Sequence, residues 1–341
     1  MGKLNIDKIA ELAYVSRSVV SRVLNNRPNV SEEARERVME VVKKYNYRPS
    51  SVARSLATDS MFEVGVFATR RGDEALGNGF WTMLHLGIFE ECIKRGYFVT
   101  LSFISTKMKE EAYNFVLNER RFDGYILLTQ EVSDLVYDVI QQKNIPTVLV
   151  GHDAKNEGLF SIDVDNLSGG YKATKHLIDL GHEHIGIILA SMNLRESVNR
   201  LDGYKKAMEE AGLPVNDELI VSGDYSQHFG CATMRKWLKE RPELTAVFCA
   251  SDTLAMGAQL AVYKNGYKVP DDYSIIGFDN LNFTKYLTPP LTTIQQPIFE
   301  KGVKAAKLLI DQIDNKVKKV VNLNLEPELI VRESTGKVRT T

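Results

Sequence analysis

The chain has 341 residues, enough for two or three domains, and its 44% hydrophobic and 26% charged content is that of a globular protein with a sizeable core. Its formal net charge of -1 excludes a molecule that is basic throughout, yet residues 1–60 hold 11 Lys and Arg against 7 Asp and Glu, so a basic end on an acidic body points to an anionic partner at that end. Cys92, Cys231 and Cys249 are far apart with no C-x-x-C, which argues against a disulfide framework or zinc site, and with no secretory leader and no run of 18 apolar residues the expected location is cytoplasmic.

In chain order, Ile6, Ile9, Ala10 and Ala13 form one apolar face of a short helix that Asn5 can cap. A break at Tyr14-Val15 follows, and Ser16 can cap a second helix. There Val20, Val23 and Leu24 point inward while Arg17, Ser18, Ser21 and Arg22 share the outer face. Two short helices joined by a tight turn, the second presenting Arg and Ser, make a helix-turn-helix. Ser31 opens a third helix with Glu32 and Glu33 at its start, Lys43 and Lys44 at its end, and a buried stripe of Val38, Val41, Val42 and Tyr45. A helix fits the major groove and Arg reaches two acceptors on guanine, so Arg17 and Arg22, with Ser18, are candidate base readers. Ser16, Ser21 and Asn25 are candidate phosphate contacts that set position. A generic three-helix bundle with a solvated charged face would show much of the same pattern.

The stretch AYVSRSVVSRVLNNRPNVSEEARERVMEVVKKYNYRPSSVARSLAT tips that balance, because it resembles the lactose and galactose repressor (LacI/GalR) family. The resemblance implies a DNA-binding headpiece over residues 1–47 and a hinge helix over 48–60. Leu56 would wedge into the minor groove, with Ser50, Ala53 and Arg54 around it, as apolar wedges do when they kink a duplex. From the residues alone, an ordinary Ser- and Arg-containing linker fits equally well. Two positions depart from the family: Tyr14 stands where Gly is usual and Val19 where Thr is usual. If the turn needs positive φ, Tyr14 is strained there.

From Met61 onward, apolar runs at Val64–Ala68, Tyr97–Phe103, Gly124–Leu128 and Pro146–Val150 alternate with helical stretches, and a second set follows at Ile185–Ala190, Leu219–Val221, Ala246–Cys249 and Tyr273–Phe278. Each run in the second set starts roughly 120 residues after its counterpart, which indicates two similar lobes and not a solenoid. The expected architecture is an all-α helix-turn-helix headpiece plus an α/β core, similar to a periplasmic binding protein, of two doubly wound parallel-sheet lobes. The core would span 61–335, with one lobe over about 61–161 and 291–320 and the other over about 162–290 and 321–333.

Ligands of such sheets bind beyond the carboxyl ends of strands. The loops there read Asn78-Gly79-Phe80-Trp81, Ser191 to Arg200, Gly223-Asp224-Tyr225, Ser251-Asp252 and Asp279-Asn280, before Pro289 to Pro297 crosses between lobes. CASDTLAMGAQ and YSIIGFDN extend the family resemblance to about residues 4–333. By that resemblance the effector contacts are Asn78, Phe80, Trp81, Arg200, Tyr225, Ser251, Asp279 and Gln296. Aromatic faces with Arg, Asp and Gln suit a sugar or short oligosaccharide, and a purine-like ligand stands second.

Other signals carry less. His176, His182 and His184 lack the convergent ligands of a metal site, and G-x-S-x-G, P-loop and G-x-G-x-x-G patterns are absent, so neither enzyme chemistry nor a cofactor is expected. Asp163 and Asp165 read as loop caps, and Lys316–Lys319 as a solvated turn. The expectation is a nucleoid-associated repressor of carbohydrate-utilisation genes. Two chains would pair on a pseudo-palindromic double-stranded operator, in response to a small molecule and without a membrane. The nine residues after Arg332 are too few for the tetramerising helix of some relatives, hence a homodimer. Alternatives are a phosphorylated protein corepressor, or a cytosolic sugar-binding or sugar-modifying protein with a helical N-terminus.

Overall fold

A computed structural model describes residues 5–24, 28–45, 47, 60–68, 79–103, 117, 121–128, 134–151 and 158–338. The chain divides into two units, residues 1–62 and 63–341.

The first unit is helical. Helix α1 (Ile6–Leu12) starts where the Asn5 side chain accepts the Lys8 N–H at 2.8 Å. Helix α2 (Arg17–Leu24) and α3 (Glu32–Lys44, capped by Ser31) follow. Ile9, Ala10, Ala13, Val20, Val23 and Val38 form the core. Tyr45, expected in the α3 stripe, is 44% exposed, and Tyr47 packs on the core in its place. The helix ends at Lys44, so the helical period that would have carried Tyr45 inward stops one residue short.

The second unit holds two six-stranded sheets of matching order. In the first lobe, β1 (Glu63–Ala68) is followed by α4 (Gly79–Lys94), β2 (Phe98–Phe103), β3 (Gly124–Leu128), α5 (Asp134–Gln142), β4 (Thr147–Val150) and β5 (Phe160–Val164). The chain then builds the second lobe from α6 (Asn166–Asp179), β6 (Ile185–Leu189), α7 (Arg195–Glu210), β7 (Ile220–Ser222), α8 (Gln227–Glu240), β8 (Ala246–Cys249), α9 (Asp252–Lys264), β9 (Ser274–Asp279), a short 3-10 turn and β10 (Thr292–Gln295). It returns through α10 (Ile298–Ile313) and β11 (Asn322–Leu325), and crosses again to β12 (Glu328–Ile330). The sheet orders are β11-β5-β4-β3-β1-β2 and β12-β10-β9-β8-β6-β7. Among the described residues all strand pairs are parallel except β10 with β12, so helices cover both faces and the central strands are continuous apolar runs.

The lobe boundaries differ from the expected ones. Strand β5 pairs with β4, Val150 opposite Ile162, so the first lobe runs on to Val164. Strand β10 pairs with β9 in the second lobe, and β11 with β5 in the first. Backbone pairing decides membership, and T-T-I-Q and N-L-N-L carry too few apolar side chains to announce it. The chain therefore passes between lobes three times, near Asp165, at Gln296-Pro297 and at Glu326-Pro327.

The histidines serve the frame. His182 is buried with Nδ1 2.9 Å from the Thr245 hydroxyl and Nε2 2.9 Å from that of Ser274, and burial lowers its pKa. His176 meets the Thr335 hydroxyl at 2.9 Å. Asp165 caps α6 by accepting the Ser168 N–H at 2.9 Å, whereas Asp163, also read as a cap, instead lies 3.3 Å from the buried ammonium of Lys301.

Candidate nucleic-acid face and ligand cleft

On the headpiece, Arg17, Ser18 and Arg22 are exposed along α2, as the inward turn of Val20 and Val23 requires. The Ser16 hydroxyl lies 2.8 Å from that of Ser18 and accepts the Val19 N–H at 3.4 Å, which sets the first turn of the helix. Arg17 stands 3.6 Å from Asp7, an exposed pair that leaves the guanidinium in water. Ser21 is half-buried on the same helix. Asn25, Ser50, Ala53, Arg54 and Leu56 lie outside the described residues, as does Asn78 of the cleft. Tyr14 has φ +53° between α1 and α2 and is 86% exposed, so the turn does need the left-handed region, which costs a non-glycine residue roughly 1–2 kcal/mol.

In the core, Arg200 is fixed by packing before it meets any ligand. Helices α6 and α7 approach at glycines: a Cβ on Gly170 would lie 2.3 Å from the Arg200 carbonyl oxygen, and one on Gly203 2.2 Å from that of Leu167. Arg200 is only 4% exposed. Its Nε donates to Asn166 Oδ1 at 2.9 Å, Nη1 donates to the Ala250 carbonyl, and the guanidinium stacks 3.7 Å from the Phe278 ring centre. Ala250 follows β8, so Arg200 is held where β6 and β8 part, the switch point of the sheet.

Asp279 ends β9 with φ +120°, a strained conformation of the kind that gathers at functional sites. It accepts a hydrogen bond from Gln296 Nε2. Burial pushes its carboxyl up to about 6, with Arg200, Gln296 and Lys301 pulling the other way and Glu196 adding to the rise. The Gln296 Oε1 is buried and has no hydrogen-bond partner among the described residues. Behind this pair, Asp252 accepts the Leu281 N–H at 2.7 Å and the Thr293 hydroxyl, and burial, then the charge of Asp279, raises its pKa well above the usual carboxylate range.

Tyr225 donates to Glu196 Oε1 at 3.2 Å. On the first lobe, Phe80 and Trp81 meet edge to face at 5.1 Å in the opening turn of α4, and the Lys301 ammonium sits 5.3 Å from the Phe80 ring centre. Trp81 is largely part of that lobe's core, together with Leu281 from the other lobe. The Ser251 oxygen is engaged as the cap of α9, accepting the Leu254 N–H at 3.2 Å, which leaves its own proton to donate.

Arg200, Asp279 and Gln296 thus come together, Tyr225 joins through Glu196, and Phe80 faces the same charges through Lys301. Sequence reasoning missed Asn166, Glu196 and the Lys301–Asp163 pair, and gave Asp252 no role beyond its place in the loop after β8. Lys301 and Asp163 are 138 positions apart and only the fold joins them. Among the described residues, no group of three or more His, Cys, Asp and Glu could hold a metal, and no helix is long and apolar enough to cross a membrane.

Residues 5–50 match the model of bacterial regulatory proteins of the lacI family, and residues 174–335 that of a periplasmic binding protein-like domain. The chain is 34% identical over 333 residues to the HTH-type transcriptional repressor PurR of Histophilus somni (strain 129Pt), covering 96% of this chain and 98% of that one. A transcriptional regulator CelR–cellobiose complex is 30% identical, with TM-score 0.76, 97% of this chain and 100% of that one covered. A lac repressor dimer bound to operator and the anti-inducer ONPF is 25% identical, with TM-score 0.85 over 98% and 100%.

Proposed function

The chain belongs to the lacI family of bacterial regulatory proteins, and from that premise we propose that its core senses a neutral sugar or short oligosaccharide and so controls genes of carbohydrate use. The family places it among DNA-binding transcriptional repressors, a non-enzymatic class. What supports the sugar is the unspent Gln296 oxygen beside the Asp279 carboxylate. Arg200 has committed two of its five N–H donors to Asn166 and Ala250, so Asp279 and the Gln296 oxygen ask the ligand to donate while the remaining Arg200 N–H groups and the Ser251 hydroxyl ask it to accept. Adjacent hydroxyls on a ring donate and accept in that way, and Phe80, Trp81 and Tyr225 supply faces for its C–H surface. An anionic ligand would add charge beside buried carboxylates and is disfavoured.

The remaining parts follow the same reading. Arg17, Ser18 and Arg22 read bases, Ser16, Ser21 and Asn25 hold phosphates, and Leu56 with Ser50, Ala53 and Arg54 enters the minor groove. Two chains pair on a pseudo-palindromic operator. Ligand favours one arrangement of the lobes and operator favours one state of the hinge, so each binding event biases the other.

A thermal-shift screen of the whole chain against mono- and disaccharides, nucleobases and sugar phosphates tests this. A ligand at a hundredfold excess over its dissociation constant stabilises the fold by about 2.7 kcal/mol. A hit confined to neutral sugars is the expected outcome. A nucleobase hit moves the assignment to a purine-like effector, and a blank screen on protein that still binds DNA moves it to a protein corepressor.

A further inference from the structure

We propose that Tyr14 is a contact to the operator's phosphate backbone, one that positions α2 without reading sequence. The inference rests on the headpiece being the DNA-binding unit and adds a residue to its face. The chain reverses at this point: the Tyr14 N–H donates to the Glu11 carbonyl at 3.3 Å and the Val15 N–H to that of Ala10 at 3.0 Å, closing the end of α1. Such a closure asks for the left-handed region, where glycine is the favoured residue. A bulky aromatic there weakens the headpiece, and the fold gives it nothing in return. The side chain is 86% exposed, outside the hydrophobic cluster of the unit, and makes no hydrogen bond or ring contact among the described residues.

A side chain that costs stability and is not used internally acts on something outside the chain. Tyr14 lies two residues before Ser16 and three before Arg17, both exposed at the start of the helix that meets DNA. Its phenol O–H is a donor, and tyrosine is among the side chains that bond phosphate oxygens without distinguishing bases. Because the phenol is neutral, the contact adds affinity without releasing a counterion.

The test uses the full chain with an operator that it selects from a random duplex pool, beside an unrelated duplex of equal length. Tyr14→Gly is expected to slow amide hydrogen exchange across α1 and α2, showing a firmer headpiece. It should also weaken both duplexes alike by about 3- to 10-fold, the worth of one neutral hydrogen bond. Tyr14→Phe keeps the strain and should lose as much affinity with an unchanged salt slope. Undiminished binding by Tyr14→Gly overturns the proposal, as does a loss confined to the selected operator, which would make Tyr14 a base reader. Full affinity in Tyr14→Phe together with a loss in Tyr14→Gly overturns the hydroxyl contact in favour of the ring. Failure of the wild-type chain to enrich any sequence overturns the sequence-specific reading of the headpiece itself, an outcome distinct from all of these.

Discussion

At Asp279 the cost of burying a carboxylate is only partly relieved, and two consequences follow. Its folded pKa is raised, from 3.8 to about 6, so between those values the folded chain holds a proton that the unfolded chain has lost. The group's contribution to stability is then fully present below the lower value and is lost as pH rises through about 6. Asp279→Asn should abolish that slope, which denaturation midpoints from pH 4 to 7 would show as a difference between the two proteins that grows with pH. Ligand binding has the opposite sign, because hydroxyls donate to the ionised form. Effector affinity should fall as pH drops below about 6, by up to tenfold per unit, and titration calorimetry reads it directly. On the headpiece, Arg22→Ala should weaken selected operator by about 1–3 kcal/mol while weakening unrelated duplex much less; equal losses would reassign Arg22 to phosphate. At this scale the sequence singled out the loops beyond the strands, and by resemblance the proposed contacts Arg200, in the second turn of α7, and Asp279, the last residue of β9. It was silent on partners that arrive from elsewhere: Glu196 falls in the stretch Ser191 to Arg200, yet nothing there shows it as the acceptor for Tyr225, 29 positions on, and Asn166 reaches Arg200 across 34 positions.

Among the elements, the glycine crossing of α6 and α7 sets the position of Arg200, so its disturbance should be felt at a distance. Gly170→Ala would drive a methyl against the Arg200 backbone, where neither helix can yield cheaply. A loss of about 1–3 kcal/mol in urea unfolding is expected, and with it weaker effector binding, although residue 170 presents no side chain to the ligand. Normal stability and affinity would show that the crossing is softer than the spacing implies. The sequence announced eight strands, the half-exposed β2 and β7 among them, and two of the fully buried ones, G-Y-I-L-L at β3 and A-V-F-C at β8, match to the residue. Strands β11 and β12 have exposed or half-buried positions and polar neighbours, and their place in a sheet comes from pairing that no local pattern encodes. Tyr14 lies between these cases. The possible strain was readable from the residue type at a turn, but the sign of φ needed the backbone.

For the whole molecule, the proposed coupling between cleft and headpiece has a quantitative form. If effector changes operator affinity by some factor, operator must change effector affinity by the same factor, commonly about 5- to 150-fold. Effector dissociation constants measured with and without saturating operator should match the operator constants measured with and without effector. Unequal factors would mean an unaccounted binding step, such as a change in subunit association.

The three passages between the lobes bear on how such a protein can be altered. The lobe holding β1 to β5 also needs α10 and β11, and the lobe holding β6 to β10 also needs β12. Neither is one contiguous stretch of gene, so no single splice exchanges a lobe for that of another regulator. The helical unit, by contrast, ends at residue 62 and is one uninterrupted piece. On the proposed assignments, a change of operator is therefore available by a single recombination near that boundary, whereas a change of effector accumulates one side chain at a time around Arg200, Asp279 and Gln296. Chimeras of this chain with a relative should work when joined near residue 62 and fail when joined at any one of the three lobe passages.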